Sequence, residues 1–238
     1  MLLYQSGWSL KRVFRLCVQR LNDVENAVRA SGPTPEKAPE YRDFARAIDL
    51  MRGRQRLKLL DFTYETFPSE GREPRIVLLI SEKAWAFPET HELAEILGLI
   101  KKKRHYPLTY PMVTHKGVRN LNRLMVEPRS LLGILFFLCQ AVEVSREDVE
   151  RGKVTVTRHE TGEPFDWKEV TGELIRISSQ SSQPFQAAVV VSYRGSWFYI
   201  DDSDLESKST FPLLVQLFAL QAGEKERIMP ILTLPVGR

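Results

Sequence analysis

The stretch AAVVVSYRGSWFYIDDSDLESKSTFPLLVQLF, residues 187–218, constrains the fold more than any other part of the chain. It sets a β-branched strand, a glycine turn, an aromatic strand, an acidic loop and an amphipathic helix end to end. Arg194-Gly195 is a tight-turn signal between two β-rich runs, so residues 187–193 and 196–200 are predicted to pair as an antiparallel hairpin. Two more strands are expected upstream, at 153–158 and 173–178, with ETGEP turning the chain after the first. SSQSSQP reads as a polar loop. Ser207 or Ser209 is expected to cap the last helix, with Pro212 in its first turn, where amide donors lack intrahelical partners. Leu213, Leu214, Leu217 and Leu220 supply its packing face, and the closing ILTLPVGR reads as an edge strand.

The first half is organised around helices. Ser9 is placed as an N-cap, with Trp8 and Val13 positioned as a hydrophobic staple. Leu10, Val13, Phe14, Cys17, Leu21, Val24 and Val28 recur at three- and four-residue spacing, while Lys11, Arg12, Arg15, Gln19 and Arg20 occupy other faces. This predicts one amphipathic helix ending near Ser31-Gly32. The Pro-rich linker SGPTPEKAP precedes a second helix over 41–51. Residues 57–66 and 75–82 read as a hairpin around FPSEGREP, and 90–100 as a short helix with Thr90 or Glu89 near its cap. Residues 101–122 are basic and mixed, interrupted by Pro107, Pro111 and Gly117. Pro128 opens a helix to about Val142 that is apolar nearly all round and so is expected at the centre of the core. The order of elements predicts an α+β fold, an antiparallel sheet with helices packed against it. Residues 1–127 and 128–238 form its two regions, or one continuous domain.

With 238 residues, 43% hydrophobic and 27% charged, the chain can bury a substantial core and is not disordered throughout. Net charge is +4, unevenly spread: residues 1–130 hold 23 Lys/Arg against 15 Asp/Glu, and residues 131–238 hold 11 against 15. A basic half joined to an acidic half suits either an anionic partner surface or attraction between the halves. Cys17 and Cys139 read as small buried hydrophobes rather than as a disulfide. The apolar stretch before the first charges is too short for a signal peptide. The longest apolar run, 131–142, is about half the ~20 residues of a membrane span, so the chain as given reads as soluble.

Few constellations point to chemistry. Asp201, Asp202, Asp204 and Glu206 follow a strand and resemble the start of a calcium loop, but Ser207 stands where that loop needs glycine and the distal glutamate is missing. Helix capping by these acids is the alternative. His91-Glu92-Leu93-Ala94-Glu95 misses the zinc signature, because Glu95 stands where the second histidine must be. His105, His115 and His159 have no ligand spacing. Ser207-Lys208-Ser209 does not place a serine and a lysine base on one helix face. No phosphate-binding glycine loop or nucleophile elbow is present, and no motif implies a cofactor.

Two basic clusters, Arg52, Arg54, Arg56 and Lys58, then Lys101, Lys102, Lys103 and Arg104, suit an anionic membrane surface or nucleic acid; both also suit a solvated turn. Tyr106 and Tyr110 follow the second cluster. In YRGSWFYIDD, Tyr193, Trp197 and Tyr199 are expected on one face of the hairpin, with Phe198 and Ile200 on the other. Such a face serves as a partner platform or as cross-strand core packing.

SGWSLKRVFRLCVQRLNDVENA, PRSLLGILFFLCQAVEV, FDW, the segment YRGSWFYIDDSDLESKSTFPLLVQLFALQAG and LTLPVG together resemble a family of uncharacterised bacterial proteins. The resemblance spans both ends and most of the second half; residues 54–122 add little to it. It implies a longer chain with an N-terminal portion that begins like an exported lipoprotein, of which this chain matches the C-terminal part, with Met1-Leu2-Leu3 as an internal boundary. No lipobox is present here, and the family brings no activity or catalytic residues. The resulting expectation is a non-enzymatic interaction or scaffold protein of the bacterial cell envelope. Its expected partner surface is Arg194, Trp197, Tyr199, Asp201, Asp202, Asp204 and Glu206. The alternatives are a hydrolytic or metal-assisted enzyme built on the acidic loop, and a cytoplasmic nucleic-acid-binding module using the basic clusters.

Overall fold

In the computed structural model, which describes residues 7–66, 74–110 and 122–225, the first helix is short. Helix α1 covers Leu10–Cys17, and the chain continues into strands β1, Val18–Leu21, and β2, Val24–Glu25. The expected helix to Gly32 is therefore broken after two turns. Its apolar spacing persists because Leu21 and Val24 face a core as strand residues. Asn22 turns the hairpin with φ at 50°, a left-handed conformation asparagine tolerates.

Buried polar groups take the carbonyls at the end of α1. Asn26 Nδ2 donates to Arg15 O at 2.8 Å and to Val18 O at 2.7 Å. Arg129 Nη1 donates to the carbonyls of Arg15, Leu16 and Val18, each at 3.1 Å. Its Nη2 reaches Asn26 O, its Nε reaches Ser31 Oγ at 3.0 Å, and the guanidinium stacks 3.9 Å from the Phe137 ring centroid. Terminal carbonyls buried without such donors would be costly. Burial pulls the Arg129 pKa down to about 9, with nearby Cys17 opposing the shift. The Cys17 thiol is pushed up to about 11 by the same burial, against the charge of Arg129.

Helix α2, Arg42–Arg56, buries Phe44, Ala47, Ile48 and Met51 at helical spacing. Strands β3, Leu60–Thr66, and β4, Pro74–Ile80, pair antiparallel from Leu60↔Ile80 to Thr66↔Pro74, which is the expected hairpin. Its connection, residues 67–73, lies outside the described residues, as do Pro111, His115, Gly117 and the closing ILTLPVGR. Helix α3, Pro88–Ile96, starts two residues earlier than expected, with proline at a first-turn position that needs no donor. Strands β5, His105–Thr109, and β6, Leu124–Pro128, complete a six-stranded sheet in the order β2-β1-β6-β5-β4-β3. The fold is α+β, but β5 and β6 run parallel, so this sheet is mixed rather than antiparallel. A parallel pair cannot be joined by a two-residue hairpin. Pro107 lies inside β5, opposite Val77.

The second half holds helices α4, Leu131–Cys139, α5, Arg146–Glu150, α6, Lys168–Thr171, and α7, Leu205–Lys225. Pro128 ends β6, and Ser130 caps α4 by accepting from Gly133 N at 3.0 Å. Only Gly133, Ile134, Phe137 and Leu138 of α4 are buried, while Leu132 and Cys139 are exposed. This corrects the expectations of a helix sunk on all sides and of a buried Cys139; both cysteines are free. Residues 153–158 form no strand. They run as a strap in which Thr157 Oγ1 donates to Pro35 O at 2.5 Å and accepts from Trp167 Nε1 at 3.1 Å. Residues 173–176 are likewise not a strand, and β7, Ser178–Gln180, falls in the stretch expected as loop. Strands β8, Ala187–Tyr193, and β9, Ser196–Asp201, join it in an antiparallel sheet ordered β7-β9-β8.

Two apolar clusters result. The first sets Phe44, Ile48, Met51, Leu93 and Leu97 of α2 and the α3 region against Leu60, Phe62, Leu78, Ile80, Tyr106 and Leu124 of the large sheet. The second gathers Ile134, Phe137, Phe165, Val170, Leu174, Ile200 and Leu213. Phe165 of the FDW segment anchors it, with edge-on contacts to Tyr41, His159 and Trp167 at centroid distances of 6.0, 5.3 and 5.1 Å. Helix α1 belongs to both, giving Leu10 and Phe14 to the first and Val13 and Leu16 to the second. Its polar side is left facing a groove.

Candidate functional site

Arg194 and Gly195 have φ of 51° and 81°, as a two-residue hairpin turn of matching twist requires. The register pairs Tyr193↔Ser196, Ser192↔Trp197, Val191↔Phe198 and Val190↔Tyr199. Directly opposed residues share a face, so Trp197 and Tyr199 stand with Ser192 and Val190, whereas Tyr193 stands with Phe198. The expectation that Tyr193 shares the Trp197/Tyr199 face is corrected: a two-residue turn places its flanking residues opposite each other and shifts the alternation by one. Ile200 and Val189 direct their face to the second core. The other face carries half-buried Trp197 and Tyr199, flanked by Ser178 and Gln180 of β7. The Arg194 guanidinium lies 5.2 Å from the Tyr193 ring centroid.

Strand β8 is an edge. Among the described residues no strand pairs with its outer side. Its sequence AAVVVSY contains no charge and no proline, and Val190, Val191 and Tyr193 are 40%, 58% and 59% exposed. Phe185, just before it, is 99% exposed.

Asp201, Asp202 and Asp204 of the following loop have local partners, and Glu206 has a distant one. Asp201 Oδ1 accepts from Ser203 N at 2.8 Å and Ser203 Oγ at 2.5 Å, and these hydrogen bonds hold its carboxyl below the usual range. Asp202 pairs with Lys208 at 2.7 Å. Asp204 accepts from Ser207 N at 3.1 Å and Ser207 Oγ at 2.7 Å, so it caps α7, the place expected for Ser207 or Ser209. Ser207 Oγ in turn accepts from Arg176 N at 2.8 Å. Glu206 pairs with Arg12 of α1. Among the described residues no group of three or more His, Cys, Asp or Glu side chains is placed to hold a metal ion. The loop turns β9 into α7 and ties α7 to the body; it also walls a shallow cavity of about 410 Å³ with Arg176 and Ser178. Pro212 falls in the interior of α7, not in its first turn. Leu213 is buried and Leu214 and Leu217 pack on the second core, whereas Leu220 is exposed.

The basic clusters divide. Arg54 is buried, 3.5 Å from Glu89 and 5.0 Å from the Phe87 ring centroid. Arg56, Lys58, Lys101, Lys102 and Arg104 are exposed, and Lys103 donates to Asn122 O at 3.1 Å beside Tyr106. Lys101 pairs with Glu95. Ile80 N donates to Arg104 O and Ser81 N to Leu59 O, both at 2.9 Å, so the chain at Arg104 and the chain just after Lys58 come to one end of the large sheet. In the zinc-like segment, His91 Nε2 contacts Trp85 O at 2.8 Å, and Glu92 takes Arg46 in a two-point pair at 2.6 and 2.8 Å.

Arg52 joins neither group. It enters a groove of about 470 Å³ between α1, α2, the 172–176 turn and the start of α7. Lys11, Arg12, Arg15, Arg52 and Arg176 line this groove, with Glu173 and Glu206 as its acids. Two residues singled out for different roles, Arg52 and Glu206, thus come together, whereas Arg194 and Trp197 do not line it. Lys11, Arg12 and Arg15 are legible as the polar side of α1, but nothing local to Glu173 or Arg176 marks them. Burial works to raise the Glu173 carboxyl, yet the Lys11 hydrogen bond and the Arg15 charge outweigh it and the net shift is downward.

No family model matches the chain, and neither the curated proteins nor the solved structures contain a match.

Proposed function

We propose that this chain is a non-enzymatic interaction module that captures an extended segment of a partner polypeptide, uncharged between its ends, along strand β8. The supporting observation is the edge itself: seven residues without charge or proline, exposed on their outer side. Natural sheets guard such edges with lysine, proline or a cover, because free amide and carbonyl groups template another strand. Strand addition then draws affinity from main-chain bonds and selectivity from alternate side chains. Here Val190, Trp197 and Tyr199 would read one side of the incoming segment and Val191 and Tyr193 the other. Arg194 at the turn would meet an acidic group at the segment's end, and the loop acids a basic one. Placement in the bacterial cell envelope rests on the family resemblance.

The test uses a photo-crosslinking residue at Val191 in the native host. Tyr193 and Ser196 flank the turn, so by antiparallel alternation the Ser192 amide points away from β9. Ser192→Pro should remove that donor, leave the β8–β9 ladder in place and abolish a crosslinked species of fixed mass. A crosslink indifferent to Ser192→Pro, in a variant that melts as the parent does, would sink the reading. The approach of the Leu59 and Arg104 backbones to one end of the sheet favours a second reading, contact with an anionic surface through that end, whose signature is binding that weakens steeply with salt.

A further inference from the structure

We propose that the groove between α1, α2 and α7 is a binding site for a phosphoryl-bearing anion. Four observations converge on it. First, five cations, Lys11, Arg12, Arg15, Arg52 and Arg176, line one cavity of about 470 Å³ with only two carboxylates, Glu173 and Glu206. Counting Asp49 as well, which pairs with Lys11 at 2.7 Å, leaves the cations in excess.

Second, the excess is localised on groups with donors to spare. Lys11 and Arg15 are held by Glu173. Arg52 has Ser9 Oγ as its acceptor, at 2.5 Å, and Arg176 Nε has Gly172 O, at 3.1 Å; neither guanidinium has a carboxylate partner among the described residues. A guanidinium has five donors in a planar fork, so most of theirs are uncommitted. Third, Arg12 Nε is buried without a hydrogen-bond partner, although another nitrogen of the same group pairs with Glu206. Buried polar nitrogens in native proteins are nearly always paired, so Arg12 is a guanidinium that the described acceptors leave incompletely satisfied.

Fourth, the start of α1 opens beside these groups. Ser9 holds the N-cap position but makes no cap hydrogen bond, and the first turn contains no acid. Among the described residues no side chain caps the amides there, and the helix end favours negative charge. A tetrahedral phosphoryl group presents several acceptor oxygens and about two negative charges, which suits forks arriving from two helices and a turn. The same chemistry is presented by a free phosphate compound and by a phosphomonoester lipid headgroup.

The experiment titrates inorganic pyrophosphate into the full chain by calorimetry at constant ionic strength, and in parallel measures cosedimentation with phosphatidylcholine vesicles with and without phosphatidic acid. The parent should bind pyrophosphate, or bind the phosphatidic acid vesicles alone if the lipid is the source. Arg52→Gln with Arg176→Gln should weaken binding about tenfold or more. Glu206→Gln releases Arg12 and should tighten it, an effect that loss of fold does not imitate. If the double variant melts early, Arg52→Gln alone is compared with Glu206→Gln, and the opposite signs are still required. Absence of binding to both probes, or binding that neither substitution moves, overturns the proposal.

Discussion

Arg129 shows how much one side chain can decide. Its guanidinium reaches five main-chain or hydroxyl acceptors from three stretches of chain, with no carboxylate partner among the described residues. Arg129→Leu leaves Asn26 as the donor to Arg15 O and Val18 O but strands Leu16 O, Asn26 O and Ser31 Oγ in the core, at roughly 1–3 kcal/mol for each that finds no other donor. Chemical denaturation should therefore show a loss of at least about 3 kcal/mol. Arg129→Lys should recover part of it, since an ammonium has three donors and no planar fork. A loss below ~1 kcal/mol would place those carbonyls in contact with water instead. In sequence Arg129 is one basic residue after a proline, with nothing local to mark it. The left-handed Arg194-Gly195 turn was legible because turn geometry is written in adjacent residues. The acids at 201–206 were legible as a group but not as individuals, since the partners of Glu206 and of the groove cations lie far along the chain.

At the level of elements, reading succeeded where periodicity met a partner close in sequence and failed where the partner was distant. The hairpins β3–β4 and β8–β9 pair neighbours, and both were expected. Residues 153–158 alternate like a strand but pair only through isolated bridges at Arg158, to Lys37 and Pro164, so no ladder extends along them. The spacing of α1 ran on into β1 and β2 because the second periodicity is masked when buried residues fall three or four apart. Helix α7 supplies a prediction at this scale. Pro212 lies in its interior and deprives the Lys208 carbonyl of its donor. Pro212→Ala should raise stability by about 1–3 kcal/mol, seen as a higher denaturation midpoint at unchanged slope. A lower midpoint would mean that the proline ring itself helps seat Leu213 in the second core.

On the scale of the whole molecule, the two apolar clusters are not independent, because opposite sides of α1 serve both. Leu16→Ala should cost about 2–5 kcal/mol through the second cluster. It should also destabilise the first, since α1 cannot leave one without leaving the other. Unfolding monitored at Trp85, beside the first cluster, and at Trp167, beside the second, should coincide before and after the substitution. Separate transitions would show that the halves fold apart. The α+β class was readable from the order of elements, but the parallel β5–β6 pair was not, since strand direction depends on a crossover that no local pattern encodes.

The donors that close α1 have a consequence for synthesis. Arg129 is separated from the Arg15 carbonyl by 114 positions, and β1 pairs with β6, the strand that ends at Pro128. A nascent chain emerging from the ribosome therefore exposes its first helix and hairpin long before their partners exist. The segment from α1 to β2 must wait, unfinished, until β6 and Arg129 have been made.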